Sequence, residues 1–402
     1  MCLGGPGKKM TERIYLDWNA TAPLRPAARA AMLAALDQLG NPSSVHAEGR
    51  AARHLVETAR EQVAALVGAD AGNVVFTSGG TEANGLALGP AIERPGDRQL
   101  LDRLLVSAIE HPSVASGGRF AREKIEEIPV TSQGIVDLSA LEARLRELAT
   151  AGQRLLVSIM HANNETGVLQ PVAAAAAMVH ASGGLLHVDA VQTAGRIPCD
   201  INALGADLLV ISGHKLGGPQ GVGALVRSSQ ALHLADPLIK GGGQERGGRA
   251  GTENVAAIAG FGAAAGAAAA ALGADGVLVR ALRERLEAGL MAVAANTVIF
   301  GSGAERLPNT TLFALPGLKA ETVLMALDLD GIAASSGSAC SSGKVTASRV
   351  VKAMGVAPEL GIGAVRLSLG RDTTETEIDR FISAWRKLVS RLSSGVNRGL
   401  AA

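Results

Sequence analysis

Cysteine is scarce in this chain. Only Cys2, Cys199 and Cys340 occur among its 402 residues, and no C-x-x-C pair is present. This spacing excludes a zinc finger and makes a disulfide framework improbable, because zinc fingers and disulfide-rich folds need several closely placed cysteines. We therefore expect a reducing compartment, the cytoplasm, and no resident metal ion.

The chain also lacks an excess of charge and a long apolar run. Lys and Arg (38) nearly balance Asp and Glu (37), so the basic patch that nucleic-acid binding requires is missing. Gly or charged residues interrupt each apolar stretch before it reaches the roughly 18 residues of a membrane span. Residues 1–13 have no apolar signal core and are interpreted as a loose leader. We expect neither nucleic acid nor a membrane as a partner.

Aromatic residues make up only 2% of the chain, so its core must be built from Ala, Leu, Val and Ile. Short apolar runs alternate with amphipathic segments such as Glu48–Val67 and Pro171–Ala181. This alternation predicts an α/β fold with buried, mainly parallel strands. The predicted strands are Val74–Phe76, Leu104–Ser107, Leu155–Met160, Leu185–Val188 and Leu208–Ile211.

After about Gly260 the pattern changes to a long Ala-rich helix followed by shorter strands and a terminal helix from Glu375. We interpret this part as a smaller α+β domain, joined by the N-terminal stretch Ile14–Trp18. The predicted division is a large domain at 20–262 and a small domain at 1–19 and 263–402. The shorter strands are predicted at Thr310–Ala314, Ile332–Ser335 and Val365–Leu369.

Polar residues follow the predicted strands, at the sheet edge where α/β proteins bind ligands. Gly80 and Thr81 follow the first strand and could cradle a phosphate at a helix N-terminus, although a tight turn with an N-cap is equally consistent. His111 follows the second strand and could stack on an aromatic ring or move protons, unless it is structural. Asn163 follows the third strand, in a cluster that could orient a cofactor or simply form a turn.

The next two strands end in residues of opposite charge. Asp189, with Gln192 nearby, could pair with a protonated pyridine nitrogen or cap a helix. Lys215 lies in Ser212–Lys215 within a glycine-rich, weakly polar run, where an amine can lose its proton and act as a nucleophile. A solvated surface lysine is the alternative.

Three further segments carry candidate residues. The loop Gly241–Thr252 could add a phosphate contact or serve as a linker. Cys340 lies among small polar residues, where exposure favours reactivity over packing. Arg366 lies within a predicted strand, where its guanidinium would either clamp a substrate carboxylate or form an internal salt bridge.

Together these residues supply what a pyridoxal 5'-phosphate (PLP) site needs: an amine, an acid for the ring nitrogen, a phosphate cradle and a carboxylate clamp. The chain also resembles the cysteine desulfurases of the class V aminotransferase group, which have the type I PLP-dependent transferase fold with a mainly parallel seven-stranded sheet. The resemblance runs from Ile14 almost to the end. The segments that carry it are Leu16–Thr21, Gly40–Ser44, Phe76–Glu82, Glu110-His111, Asn163–Glu165, His187–Ala190, Ser212–Lys215, Gly241–Thr252 and Ser335–Cys340.

The resemblance implies a role for each candidate residue. Lys215 would hold the cofactor as an imine, Asp189 would pair with the ring nitrogen, and His111 would stack on the ring. Cys340 would receive the sulfur, on a loop that looks like the branch with an extended mobile cysteine loop. The remaining implied roles are phosphate binding by Gly80, Thr81, Ser212 and His214, ring contacts by Asn163 and Gln192, carboxylate binding by Asn41 and Arg366, and phosphate binding across a homodimer by Thr252.

The implied activity is conversion of L-cysteine to L-alanine with transfer of sulfur as a persulfide on Cys340, for iron-sulfur cluster or other sulfur-containing cofactor biosynthesis. His111 is the candidate base that assists the Cys340 thiol, and Cys340 is also a possible transient iron-sulfur ligand. A sulfur-acceptor or scaffold protein is the expected partner. The alternatives are a selenocysteine lyase, a small-amino-acid transaminase and a non-catalytic sulfur-assembly scaffold.

Three departures from the family pattern accompany the resemblance. Trp18 stands where a tyrosine is usual, and Gly80 stands where alanine is common. The tail Ser393–Ala402 does not resemble the scaffold-binding tail of the housekeeping members. The sequence therefore leaves the identity of the sulfur acceptor open.

Overall fold

The computed structural model describes residues 13–336 and 348–399, with the side chains of 392–399 left aside. The strands are β1 Ile14–Tyr15, β2 Val74–Thr77, β3 Ile92–Glu93, β4 Arg103–Ser107, β5 Ile125–Ile128, β6 Leu155–Met160, β7 Leu185–Asp189, β8 Leu208–Ser212, β9 Gly223–Arg227, β10 His233–Leu234, β11 Val298–Ile299, β12 Thr310–Ala314, β13 Ile332–Ala333 and β14 Val365–Ser368.

The helices alternate with these strands. They are α1 Pro26–Leu36, α2 Ala47–Leu66, α3 Gly80–Ala87, α4 Pro112–Ala115, α5 Leu138–Thr150, α6 Val172–Ala181, α7 Ile201–Leu204, α8 Val255–Val293, α9 Ala320–Leu329, α10 Arg349–Ala353, α11 Pro358–Gly361 and α12 Glu375–Gly399.

The central sheet has seven strands in the order β2-β9-β8-β7-β6-β4-β5. Strands β8, β7, β6, β4 and β5 are parallel, while β9 runs antiparallel to both β2 and β8. The five predicted strands are confirmed as β2, β4, β6, β7 and β8. The sequence prediction missed β5 and β9, because the charged pair in Ile125–Ile128 and the glycine-rich approach to β9 weaken the apolar signal.

Both faces of the sheet are covered, which explains why its central strands are largely apolar. Along β8, Leu208 and Val210 join the buried cluster that includes α3, whereas Leu209 and Ile211 join the cluster that includes α2 and α8. Successive strand residues point to opposite faces, so burial on both sides requires an uninterrupted apolar run. Polar residues are therefore found mainly at the ends of these strands.

The smaller sheet β11-β12-β14 is antiparallel, and β1 pairs in parallel with β13. The predicted strands at 310–314 and 365–369 and the association of the N-terminal stretch with this part are confirmed. The strand predicted at 332–335 ends earlier, at Ala333, and Ser335 forms an isolated bridge with Arg366 instead. Phe313 and Trp385 meet edge to face in this second core, with ring centroids 5.3 Å apart.

Helix α8 spans both regions of the chain. By length and composition it could cross a membrane, but half of its most apolar stretch is buried against the rest of the molecule. It contacts α1 and α2 on one part and α12 on another, as the core helix of a globular protein does. Since α8 runs continuously through residue 262, the domain limits of 20–262 and 263–402 stay a prediction.

Candidate active site

The carboxyl ends of β7 and β8 bring the acid and the lysine to one edge of the sheet. Asp189 is the last residue of β7, and Lys215 ends the short turn Gly213–Lys215 that follows β8. The Lys215 amine donates hydrogen bonds to the backbone carbonyls of Asn19 (2.6 Å) and Ala20 (2.8 Å). The N-terminal segment therefore crosses directly over the lysine, which no local sequence pattern indicated.

The surroundings of Lys215 favour its neutral form. Burial lowers the pKa of Lys215 to about 7, with further lowering by the nearby guanidiniums of Arg196 and Arg366. Asp17 and Asp189 act in the opposite direction. A much larger share of this amine than of a solvated lysine is therefore unprotonated at neutral pH, as nucleophilic chemistry requires.

Asp189 and His111 are joined by a chain of hydrogen bonds. Asn84 donates through Nδ2 to Asp189 Oδ2 and to Ser113 Oγ, at 2.9 Å in each case. Ser113 Oγ lies 2.8 Å from His111 Nδ1, which also accepts from the Ser113 amide. With Nδ1 accepting, the proton of the neutral ring lies on Nε2. Desolvation lowers the pKa of His111, which favours this neutral ring.

The second Asp189 oxygen is held by the Val191 amide at 3.0 Å. Each carboxylate oxygen therefore has one donor and keeps a free lone pair for a further one. Helix capping by Asp189, the alternative that the sequence allowed, would explain only its contact with the Val191 amide. The carboxylate is available to a cationic ring at the end of the sheet.

The turn at Gly79-Gly80 lies unusually close to its neighbouring strand. A Cβ added to Gly223 on β9 would lie 2.6–2.9 Å from backbone atoms of Gly79 and Gly80. A Cβ on Gly80 would lie 3.1 Å from Val191 and 3.4 Å from Ser212. These glycines let the N-terminus of α3 sit against β8, with its free amides beside Ser212. Such a helix start favours an anion.

The turn is stiffened by two carboxylate contacts. Glu82 accepts from the Ser78 amide and pairs with Arg249, with both closest contacts at 2.9 Å. Although its burial acts in the opposite direction, the hydrogen bonds from Arg249 and Ser78 lower the pKa of Glu82. Arg249 thus ties the loop Gly241–Thr252 to the candidate phosphate turn.

Ser212 lies beside this turn, and the described contacts of His214 are with the N-terminal segment. His214 Nδ1 is 3.2 Å from Thr21 Oγ1, and Ser212 is buried. Burial, with help from Lys215 and Arg196, lowers the pKa of His214 to about 4, so its ring is neutral at physiological pH. A neutral imidazole can donate one hydrogen bond to an anion without adding a charge.

Asn163 shapes the turn after β6. Its Oδ1 accepts from the amides of Glu165 and Thr166, and its Nδ2 donates to the Ile109 carbonyl at 3.1 Å. Nearby Glu110 is fully buried and accepts from the Met160 amide. Desolvation, with repulsion from Asp189, raises the pKa of Glu110 well above its ordinary value, which favours its uncharged form. The predicted turn role of Asn163 is observed.

Arg366 is buried and pairs with Asp17 at 2.7 Å. It also donates to the Asn164 carbonyl at 3.0 Å, while its buried Nε has no hydrogen-bond partner among the described residues. The internal salt bridge that the sequence left open is therefore present. One guanidinium nitrogen remains for another acceptor.

Three predicted residues are not brought into this cluster by the described contacts. Asn41 and Thr252 are exposed, and the hydrogen bonds of Asn41 are local ones to Ser43 and Ser44. Cys340 lies outside the described residues, as does the long-loop prediction for its segment. The residues flanking that segment do contact the cluster, since Ser335 pairs with the Arg366 backbone and Ser348 donates to Glu165.

Sequence reasoning missed four residues of the site: Asn19, Asn84, Asp17 and Arg196. Asn19 links the two regions of the chain, because its amide contacts Thr310 and Asn309 while its carbonyl accepts from Gln192 and Lys215. Asn84 lies just beyond the quoted segment Phe76–Glu82, within helix α3, and Asp17 and Asn19 lie inside the quoted segment Leu16–Thr21. The roles of Asp17, Asn19 and Arg196 depend on contacts between residues about 180 to 350 positions apart in sequence.

Comparisons with known proteins agree with this arrangement. Residues 14–381 match the family described as aminotransferase class-V. A cysteine desulfurase of Cereibacter sphaeroides is 42% identical over 388 residues, covering 95% of this chain and 97% of the relative.

Two solved structures also superpose on this chain. A NifS-like protein from Rickettsia africae has a TM-score of 0.84 and 37% identity, covering 94% of this chain and 100% of that structure. The structure of SspA in complex with cysteine has a TM-score of 0.74 and 26% identity, covering 90% of this chain and 100% of that structure. The chain therefore belongs to the class V aminotransferases and, within them, to the cysteine desulfurase family.

Proposed function

We propose that this protein is a PLP-dependent cysteine desulfurase that converts L-cysteine to L-alanine and carries the sulfur away as a persulfide on Cys340. The sulfur would serve iron-sulfur cluster or other sulfur-containing cofactor biosynthesis. The observation that carries the proposal is the Lys215 amine at the sheet edge, with its pKa lowered to about 7, in a chain of this family.

The residues of the cluster fit PLP group by group. The Lys215 amine can condense with the aldehyde, and the Asp189 carboxylate has a free lone pair on each oxygen for the ring nitrogen. The amides at Gly80 and Thr81, with Ser212 and His214, suit the phosphate. When bound, the cofactor draws electrons from the substrate Cα and makes its proton removable.

Lys215 then supplies the proton transfer at the substrate Cα, and His111 supplies a hydrogen bond. Lys215 Nζ takes the Cα proton, because an amine with a pKa near neutrality is an effective base at physiological pH. His111 Nδ1 already accepts from Ser113, so its Nε2–H can donate a hydrogen bond but the ring has no free nitrogen to take a proton. We therefore assign His111 a hydrogen-bonding role toward the bound substrate, in place of the base for Cys340 that the sequence suggested, and assign the return of the Cα proton to Lys215.

Cys340 completes the proposed reaction. Its Sγ forms a bond to the substrate sulfur as the Cβ–S bond breaks, and the electron pair stays with the three-carbon product. The product takes up the proton that the Cys340 thiol loses, regains the Cα proton from Lys215 and leaves as alanine, while the sulfur remains as a persulfide. Cys199 is a poor alternative acceptor, because it is buried and burial raises its pKa to about 12.

Two further observations concern the assembly and the location of the protein. The exposed Thr252, on a loop fixed to the phosphate turn by Arg249, suits a contact across a homodimer. The scarcity of cysteine supports a cytoplasmic location. A separate acceptor or scaffold protein would then receive the persulfide.

The function is tested by replacing Cys340 with serine. We expect wild type to form alanine from cysteine without a keto acid and to carry extra sulfur on the Cys340 peptide in mass mapping. The C340S variant should keep its bound cofactor while its alanine formation falls at least about tenfold, because its acceptor is lost. The matched control is Cys199→Ala, which should keep both the persulfide and the rate. Unchanged alanine formation by C340S, or a requirement for keto acid, would contradict the proposal.

Replacing Arg366 tests the carboxylate clamp. A charge-assisted hydrogen bond contributes about 1.5–3 kcal/mol, so Arg366→Ala should raise the KM for cysteine roughly 10- to 100-fold with a smaller change in kcat. Cysteamine, which lacks the carboxylate, serves as the comparison substrate. We expect the preference for cysteine over cysteamine to shrink in the variant, measured by kcat/KM. An unchanged preference would show that Arg366 acts only through its salt bridge with Asp17.

A further inference from the structure

Arg196 is a residue to which the sequence motifs assigned no role. It follows Asp189 by seven positions, and its guanidinium reaches four residues of the site. It donates to Gln192 Oε1 at 2.5 Å, Asn19 Oδ1 at 2.7 Å, the Trp18 carbonyl at 3.1 Å and the Lys215 carbonyl at 3.2 Å. One side chain thus ties the N-terminal segment, the turn after β7 and the lysine together.

These contacts fix the orientation of the Gln192 amide. Because Arg196 is only a donor, the Gln192 atom facing it must be the carbonyl oxygen. The Nε2 group is then directed to the Asn19 carbonyl, which it meets at 3.1 Å and which also accepts from Lys215 Nζ. Without the guanidinium, the amide could rotate and present its oxygen to the site.

Arg196 also brings a positive charge close to Lys215. Its hydrogen-bond acceptors in the described part of the chain are neutral oxygens, and these do not compensate its charge. Desolvation and the nearby Arg366 lower the pKa of Arg196 to about 9, which still leaves it charged at physiological pH. A cation next to an amine favours the neutral amine.

We propose that Arg196 is a positioning residue of the active site: it presents the donor group of Gln192, fixes the Trp18-Asn19 backbone over Lys215, and supplies a fixed cation beside the lysine. This inference rests on the proposed function and deepens it. It assigns a role to a residue that contacts the lysine only through the backbone carbonyl and acts through its neighbours.

Other charges face Lys215 and must be considered in any titration. Burial is the largest cause of the low pKa of Lys215, followed by Arg196. Removing Arg196 therefore removes the largest single charge effect on the amine while most of the burial remains. The remaining ionisable groups that interact with the lysine are Arg366, Asp17, Asp189, His111 and His214.

The charge effect can be measured on the cofactor-free protein. Acetic anhydride labels neutral amines, and mass mapping of the Lys215 peptide across a pH series gives the midpoint of its titration. We expect a midpoint near pH 7 in wild type and about one unit higher in Arg196→Met, a roughly tenfold smaller neutral fraction at pH 7. Arg196→Lys keeps the charge, so its Lys215 titration midpoint should match that of wild type. This second variant keeps the inference testable if Arg196→Met does not fold.

The positioning effect is measured by coupling to Gln192. Arg196→Lys loses the forked contact, so the loaded enzyme should lose kcat at least about threefold. In a Gln192→Ala background the same change should have little further effect, because the amide it acts on is gone. Equal losses in both backgrounds would contradict the positioning role.

Arg25→Met is the matched control. Arg25 is also buried and donates to the backbone beside the lysine, at the Leu216 carbonyl (3.0 Å), but it contacts neither Gln192 nor Asn19. It should leave the Lys215 midpoint in place. A wild-type midpoint in Arg196→Met, or the same shift in Arg25→Met, would overturn the inference. The labelling uses neither cofactor nor cysteine, so its result does not depend on whether wild type forms alanine. Alanine formation is the separate measurement that tests the proposed function.

Discussion

Replacing Lys215 with alanine is expected to reduce alanine formation from cysteine by roughly 10²- to 10⁴-fold, the range that a lost general base produces, while the chain still folds. Among the residues that the structure describes, the side chain donates to the Asn19 and Ala20 carbonyls, so its removal leaves two acceptors that water can satisfy. The loss should therefore be chemical. It is measured as the rate of alanine release by the purified variant supplied with PLP.

Borohydride trapping gives an independent readout of the same change. Wild type incubated with PLP should yield a reduced adduct on the Lys215 peptide, and K215A should yield none. Lys215→Arg places a positive charge at the same position and can reach the same carbonyls. It should nevertheless be as inactive as K215A, because a guanidinium stays protonated at neutral pH and is not a nucleophile. Exposed Lys124→Ala is the control that should keep adduct and activity. An adduct on a different lysine in wild type would contradict the assignment.

Removing the buried partner of Glu245 is expected to have the largest effect on stability. Arg60 and Glu245 form a two-point pair at 2.6 and 2.9 Å, and both are buried. Glu245 also accepts from the Phe76 amide at 2.9 Å, and the Arg60 guanidinium lies 4.8 Å from the Phe76 ring centroid. Arg60→Met should cost about 3–5 kcal/mol, because it leaves a buried carboxylate without its cation.

This pair has a consequence for the loop Gly241–Thr252. Glu245 and Arg246 adopt left-handed backbone angles (φ 48° and 56°), which L residues rarely occupy. The ion pair offsets that strain by fixing Glu245 to α2. We therefore expect Arg60→Met to make the loop more sensitive to proteolysis as well as lowering the melting temperature in calorimetry.

An exposed ion pair supplies the matched control. Arg146 and Glu142 lie four residues apart on α5 at 2.8 Å, with both side chains largely in solvent. Arg146→Met should change stability by less than about 0.5 kcal/mol. Replacing both buried partners, with Arg60→Met and Glu245→Leu, should cost less than the sum of the single changes. Additive losses would show that the two side chains do not act as a pair.

The parts of the fold that depend on local pattern were predictable from the sequence. Strands such as Leu155–Met160 and Leu208–Ile211 are apolar on both faces, a pattern that favours buried strands between covering helices. Their order along the chain placed His111, Asp189 and Lys215 after strand ends, and the parallel arrangement then brings such residues to one edge of the sheet. The resemblance to a known family added their individual roles.

The contacts that tune this chemistry were not predictable in the same way. Asp17 pairs with Arg366, and Arg196 reaches Trp18, Asn19 and Lys215. Each of these depends on how the N-terminal segment passes between the two sheets, a path that no short periodicity encodes.

The sequence by itself therefore determined which residue types stand at the carboxyl ends of the strands, because apolar periodicity reports burial along a single element. Only the tertiary structure decided that the Trp18–Ala20 backbone covers Lys215 and that two guanidiniums lie beside its amine. The physical reason is that desolvation and charge at a site are sums over atoms from distant parts of the chain, and those atoms meet only when the chain is folded.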